Sequence, residues 1–344
     1  MADDYADLVD RMWAAAMDGD DHGASDVALA ALDAGLPVED LLLGVLAGVQ
    51  ARVGDAWEAN LATVAQEHLV TGVSERVLAA AVRHPAARAR HTGERGRVAV
   101  ACVAGEWHAF PARLLAELLR LDGWRVAYLG PHVPAAYLRI HAHEAEADVV
   151  TLSASLPTRL PAAYEAIAAC REAGRPVLAG GAAFGADGRY ARLLGADGWA
   201  PDGRAAARLL AAGPPVTGPA EGERAGGEPA GKAYERVRAT AEELAGAVMW
   251  KLGERIPELA AYSQKQLQHT KEDIGYIIDF LAMSLYVRDP ELFARFLRWT
   301  AGVLSARGVP AATLLPALDL LAGQLGDVPQ ALATLEYGRR ALAG

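Results

Sequence analysis

Glu106 and His108 stand two residues apart in the run Gly105-Glu106-Trp107-His108-Ala109-Phe110-Pro111. A neutral imidazole ligates a transition metal through one ring nitrogen, and a carboxylate just upstream can hold the other. The run follows an apolar stretch, Val98 to Val103, that reads as a buried strand. It precedes Ala112 to Leu121, where Leu114, Leu115, Leu118 and Leu119 recur at helical spacing. A histidine so placed lies at the carboxyl end of a strand, where open α/β sheets bind ligands. Later in the chain, Ser153 and Ser155 close a third apolar run and Gly180-Gly181 closes a fourth. Small hydroxyls there can bond the polar edge of a buried group, and paired glycines let backbone approach it closely.

The elements that must position these residues alternate in period. Val98–Val103, Arg125–Leu129, Val149–Ser153, Val177–Ala179 and Gly198–Ala200 read as short buried strands. Helical patterns fall between them at Ala112–Leu121, Ala135–Glu146, Ala162–Glu172 and Gly188–Leu194. This alternation predicts a doubly wound parallel sheet over residues 94–212. Residues 1–88 read instead as a four-helix bundle: Tyr5–Met17, Val27–Ala34, Val38–Trp57, and a fourth helix begun by Thr63 as N-cap with Glu67 in its first turn. Residues 213–231 are rich in Pro, Gly and Glu and read as a flexible linker. Residues 232–344 carry helical patterns throughout, with Asp289-Pro290 and Val309-Pro310 as helix starts. The expected class is therefore α/β plus all-α.

At 344 residues the chain has room for two or three cores. Its net charge of −10, with no basic run, argues against direct nucleic-acid binding. The absence of a basic-plus-apolar leader or a bilayer-length apolar run points to a cytoplasmic protein without membrane contact. The two cysteines, Cys102 and Cys170, read as reduced and buried.

The order acid-x-His at Glu106 and His108 resembles the Asp-x-His-x-x-Gly signature of cobalamin-binding domains, with Glu in place of Asp and Pro111 in place of Gly. That resemblance implies His108 as the lower ligand of cobalt. It also implies that Ser153, Ser155, Gly180 and Gly181 surround the nucleotide tail of the corrinoid. In the helical segment, Trp57 and the Glu67-His68 pair resemble the cap of adenosylcobalamin-dependent light sensors of the CarH type. By that resemblance Trp57 shields the upper adenosyl group and Glu67 and His68 contact it. Where those sensors have a histidine after the Trp to take cobalt after illumination, this chain has Glu58; His68, His132 or water are the replacements to consider.

The tail, from Asp273-x-x-Tyr276 through Phe296-x-x-Trp299, looks like globin-like sensory domains, and the whole order of segments resembles the photocobilins. That family implies a second pigment, biliverdin, held without a covalent bond; haem on His269 is an alternative. Tyr262, Lys265, Gln266, His269, Asp273, Tyr276 and Phe280 fall mostly at three- and four-residue steps, a mixed polar and aromatic stripe suited to a bilin. The expectation is a light sensor rather than an enzyme, acting as a homo-oligomer such as a dimer, with a possible downstream signalling enzyme as partner. A corrinoid methyl carrier of a methyltransferase system is the rival, and a non-photochemical cobalamin or haem sensor a third possibility.

Overall fold

The computed structural model describes residues 5–88, 95–213, 215, 231–256, 259 and 263–343. The chain divides into two units, Met1–Arg224 and Ala225–Gly344. The first unit opens with helices α1 (Ala6–Met17) and α2 (Asp21–Asp33). The sequence pattern starts the second helix at Val27, but the Asp20 side chain accepts a hydrogen bond from the Gly23 amide and starts it earlier.

Next, α3 (Val38–Asp40) runs without a break through a π-helical segment, Leu41–Leu46, into α4 (Ala47–Glu58). Leu41, Leu42, Val45 and Leu46 of that segment are fully buried. Helix α5 (Val64–Ala81) begins at a capping box in which Thr63 and Gln66 satisfy each other's backbone amides. A short helical turn, α6 (Pro85–Arg88), follows.

Five parallel strands come next: β1 (Arg97–Val103), β2 (Arg125–Val133), β3 (Val149–Ser153), β4 (Val177–Gly180) and β5 (Gly198–Ala200). Their order in the sheet is β2-β1-β3-β4-β5. All neighbouring pairs are parallel, as the βαβ alternation predicts. The order reverses between β1 and β3, and a crevice opens there at the strands' carboxyl ends. Strand β2 runs four residues past its expected end, through irregularities in its register with β1, and so carries His132 to that same edge.

Helices α7 (Phe110–Leu121), α8 (Ala135–Glu144), α9 (Leu160–Glu172), α10 (Arg189–Leu193) and α11 (Gly203–Ala211) connect or follow the strands. Helix α7 joins two cores. Its Phe110, Leu114 and Leu121 pack with the N-terminal helices, while Ala112, Ala116, Leu118 and Leu119 pack on the sheet. Helices and sheet are thus one packed unit, further tied by Arg204 of α11, which pairs with Glu39 at 2.7 Å and Asp40 at 3.1 Å. Both cysteines are free and buried, and burial pushes each thiol up to about 12.

The second unit comprises α12 (Lys232–Ala239), α13 (Ala241–Arg255), α14 (Gln264–Val287), α15 (Pro290–Ala306), α16 (Leu315–Gln324) and α17 (Pro329–Ala343). The sequence pattern carries one helix from Ala233 to Gly253. The structure interrupts it at Thr240, whose hydroxyl donates to the Arg236 carbonyl. Conversely, the patterns separated near Thr270 are one helix, begun by a Ser263–Gln266 capping box. The expected linker falls almost wholly outside the described residues, as does Tyr262. No helix among the described residues is long and apolar enough to cross a membrane.

Candidate functional site

After β1 the chain turns at Gly105, in the left-handed region at φ +77°, and the Glu106 amide donates back to the Val103 carbonyl at 3.0 Å. The turn aims the Glu106 side chain inward, leaving that residue only 1% exposed. Its Oε1 lies 2.6 Å from Nδ1 of His108 and accepts from the His108 amide at 2.8 Å. Its Oε2 accepts from the Ser155 amide at 2.6 Å and the Leu156 amide at 3.3 Å. One carboxylate therefore pins the loops after β1 and β3 together across the crevice. Burial alone would push this carboxyl up, but the bonds from the His108 side chain and from the His108 and Ser155 amides outweigh it and hold it at about 2.

The His108 imidazole is held above its ordinary value, chiefly by the bond to Glu106, with burial opposing and the charges of Glu106 and Glu67 adding to the effect. With Nδ1 committed to Glu106 and the side chain 57% exposed, Nε2 is the nitrogen left to serve as a ligand. Glu67 belongs to α5, so the helical segment brings a carboxylate within electrostatic reach of the sheet's histidine. Arg159, after β3, acts on His108 in the opposite sense.

A cavity of about 130 Å³ opens at the ends of β3, β4 and β5, lined by Ser153, Gly180 and Gly181 together with Thr151 and Ala200. Gly181 sits at φ +101°, and a Cβ there would come 2.3 Å from the Ala154 carbonyl oxygen. Only glycine fits that backbone. A Cβ on Gly180 would make ordinary contact, 3.5 Å from the Ala200 carbonyl oxygen. Ser155 does not line the cavity; its backbone amide, bonded to Glu106, ties it to the site.

Trp57 and Glu58 end α4, both half-buried. Glu67 lies 2.5 Å from Nδ1 of exposed His68 and accepts from Thr71, whose hydroxyl is also 2.9 Å from Gln50. Gln50 donates in turn to buried Ser74 at 3.1 Å. This polar chain fixes Glu67 against α4, and no spacing rule points to Gln50 or Ser74.

A second pairing also escaped the sequence pattern. His132, at φ +52°, accepts from the Gly105 amide on its Nδ1 at 2.7 Å, and its own amide donates to the Glu106 carbonyl at 3.0 Å. Trp107 stacks on its ring with centroids 5.2 Å apart and planes 6° from parallel, yet stays 67% exposed. The one cue was an aromatic between an acid and a histidine.

In the tail, Lys265, His269, Asp273 and Tyr276 all lie on exposed positions of α14. Phe280 on the same helix stacks on Phe296 at 3.9 Å. None of these residues lines a cavity of about 850 Å³ in the tail.

Residues 96–210 match the family described as B12 binding domain, and residues 8–81 match a second family of the same description. Residues 8–210 carry a cobalamin-binding module. The chain is 34% identical over 178 residues to the HTH-type transcriptional repressor CarH of Myxococcus xanthus, covering 51% of this chain. The match takes in 57% of that repressor, so the chain spans little more than half of its length. Trimethylamine corrinoid protein 1 of Methanosarcina mazei is 27% identical over 198 residues, covering 56% of this chain and 89% of that protein. Among solved structures, the monomethylamine corrinoid protein of Methanosarcina barkeri shares the fold, with a TM-score of 0.50 and 21% identity over 60% of this chain and 98% of that one.

The residues of the module fit a corrinoid. His108 offers one nitrogen with the other anchored, and the Gly181 backbone beside the cavity leaves no room for a side chain. Among the described residues no cluster of three or more His, Cys, Asp or Glu is disposed to hold a bare metal ion. A metal delivered inside its own ring needs a single protein donor.

Proposed function

We propose that this chain is a light-responsive sensor that holds adenosylcobalamin through His108, and that its tail carries a second pigment, biliverdin. The observation that carries the reading is the shared core in which Phe110 and Leu114, just after the histidine loop, pack with Val70 and Val73 of α5 and so hold the helical segment beside that loop. Trp57 at the end of α4, the Glu67-His68 pair and the 34% identity to CarH over 178 residues all support it.

When bound, adenosylcobalamin supplies a cobalt–carbon bond that visible light breaks. Glu106 would orient the His108 imidazole so that Nε2 is the nitrogen offered to the cobalt, and Ser153, Gly180 and Gly181 would house the nucleotide tail. Trp57, Glu67 and His68 would shield the adenosyl group from water. A different preferred arrangement of the helices on the sheet with and without that group would be the output. A change of oligomer state or a partner enzyme reads it, so the chain acts as a sensor and not as an enzyme. In the tail the second pigment would be biliverdin, with haem as the alternative.

The test is absorption and size-exclusion chromatography of the full chain loaded with adenosylcobalamin in the dark, before and after green and red light. A light-driven spectral change accompanied by a change in hydrodynamic size is expected. An unchanged spectrum overturns the reading.

A methyl-carrier role is the second reading, favoured by similarity to a trimethylamine corrinoid protein over 89% of that protein's length. Its signature would be methyl transfer in darkness from the chain loaded with methylcobalamin to a thiol acceptor, in the presence of a partner methyltransferase.

A further inference from the structure

The tail unit contains a cavity of about 850 Å³ that the expected stripe on α14 does not touch. Three helices begin at its wall: α12 at Lys232, α15 at Pro290 and α17 beside Gln330. The first-turn amides of a helix lack partners within it and give its start a partial positive charge. A fourth helix, α14, ends there at Arg288, which holds φ +54°. Glycine is the usual residue at such a helix end, and keeping a long cation there costs backbone strain.

The polar groups of the wall are unevenly committed. Arg236 is engaged by Asp327 at 3.4 Å, and Asp289 caps α15 through the Glu291 amide. The Ser284, Thr334 and Tyr337 hydroxyls donate to Asp289, Gln330 and Glu291 respectively. Lys232 and Arg288 have no ion pair among the described residues. Polar recognition of a guest therefore falls to the two cations, aided by the starts of α12 and α17, and these select an anion. The rest of the wall includes Leu285, Val328 and Ala333, which suits an apolar body. The volume lies near the upper end of the ~300–1,000 Å³ typical of ligand sites, so the body is large.

We propose that this cavity binds an extended, largely apolar carboxylate, its acid group held by Lys232 and Arg288. Two sources carry that chemistry: a linear tetrapyrrole with propionate arms, and a long-chain fatty acid. Only the first arm rests on the second-pigment part of the proposed function.

The experiment titrates the full chain with biliverdin, followed by absorption and circular dichroism, and with palmitate, followed by calorimetry. Three variants accompany it: Lys232→Gln, Arg288→Asn and Ala333→Trp. Asparagine tolerates the left-handed backbone at 288, and Ala333 is exposed, so all three variants should fold, which far-ultraviolet dichroism checks. Binding of at least one probe is expected, weakened about tenfold by either cation variant and blocked by Ala333→Trp. Failure of both probes to bind, or binding unchanged in all three variants, overturns the proposal. Biliverdin binding that ignores the variants would overturn this cavity as its site but leave the second pigment standing. Palmitate binding that depends on Lys232 and Arg288, with no binding of biliverdin, would support the cavity and remove the pigment.

Discussion

The carboxylate of Glu106 lies 2.6 Å from Nδ1 of His108, and its other oxygen lies 2.6 Å from the amide of Ser155. One side chain thus orients the His108 imidazole and also ties together the loops after β1 and β3 across the crevice where the sheet reverses its order. Glu106→Gln keeps the shape and removes the charge. Because the folded carboxyl is held at about 2, below an unfolded value near ~4.3, its stabilisation is fully present above that value. The stabilisation is then lost as pH falls from about 4.3 toward 2. Urea unfolding of the cofactor-free chain should show a loss on the order of 2 kcal/mol for the variant at pH 7, and a shallower acid limb. Equal acid limbs for the two proteins would contradict the assignment.

Gly181→Ala places a Cβ 2.3 Å from the Ala154 carbonyl oxygen at a backbone of φ +101°. A cost of at least ~2 kcal/mol is expected, with loss of cobalamin retention on gel filtration. Gly180→Ala makes only a 3.5 Å contact and should cost under ~1 kcal/mol. The two thermal midpoints, measured side by side, check the contrast.

Leu114 is 4% exposed on α7 and belongs to the core shared with the N-terminal helices. Leu114→Ala should destabilise by roughly 2–5 kcal/mol. Since α7 also packs on the sheet, the helical and sheet signals should melt together at a lower temperature. Separate transitions would show that the two parts are not one folding unit.

Thr63→Ala removes the cap of the helix that carries Glu67 and His68. The expected cost is about 1 kcal/mol, mostly recovered by Thr63→Ser. Amide hydrogen exchange at Gln66 and Glu67 should speed up in the alanine variant before global stability changes much.

Several parts of this arrangement were legible because they depend on local pattern. The strands alternate with amphipathic helices, and the acid-x-His spacing brings the Glu106 carboxylate within reach of the His108 ring. Thr63 announced its helix through the Gln66 partner three residues on. The stack of Trp107 on His132 was not legible, because it requires β2 to run long and His132 to adopt a left-handed backbone. Nor was the break at Thr240, where a side-chain hydroxyl competes with the helical ladder in an otherwise unbroken pattern. The polar chain from Glu67 through Thr71 and Gln50 to Ser74 joins two helices, and periodicity describes helices one at a time.

The π-helical segment at Leu41–Leu46 has a consequence for Trp57. A π turn holds a surplus residue compared with the α turns on either side. One residue corresponds to roughly 100° of rotation about a helix axis. Upstream of the surplus, Glu39 and Asp40 are moored to Arg204; downstream, Trp57 and Glu58 end the helix. The surplus thus acts as a phase setting between a fixed end and a working end. Deleting half-buried Leu43 would leave the mooring intact and swing the indole about a quarter-turn around the helix.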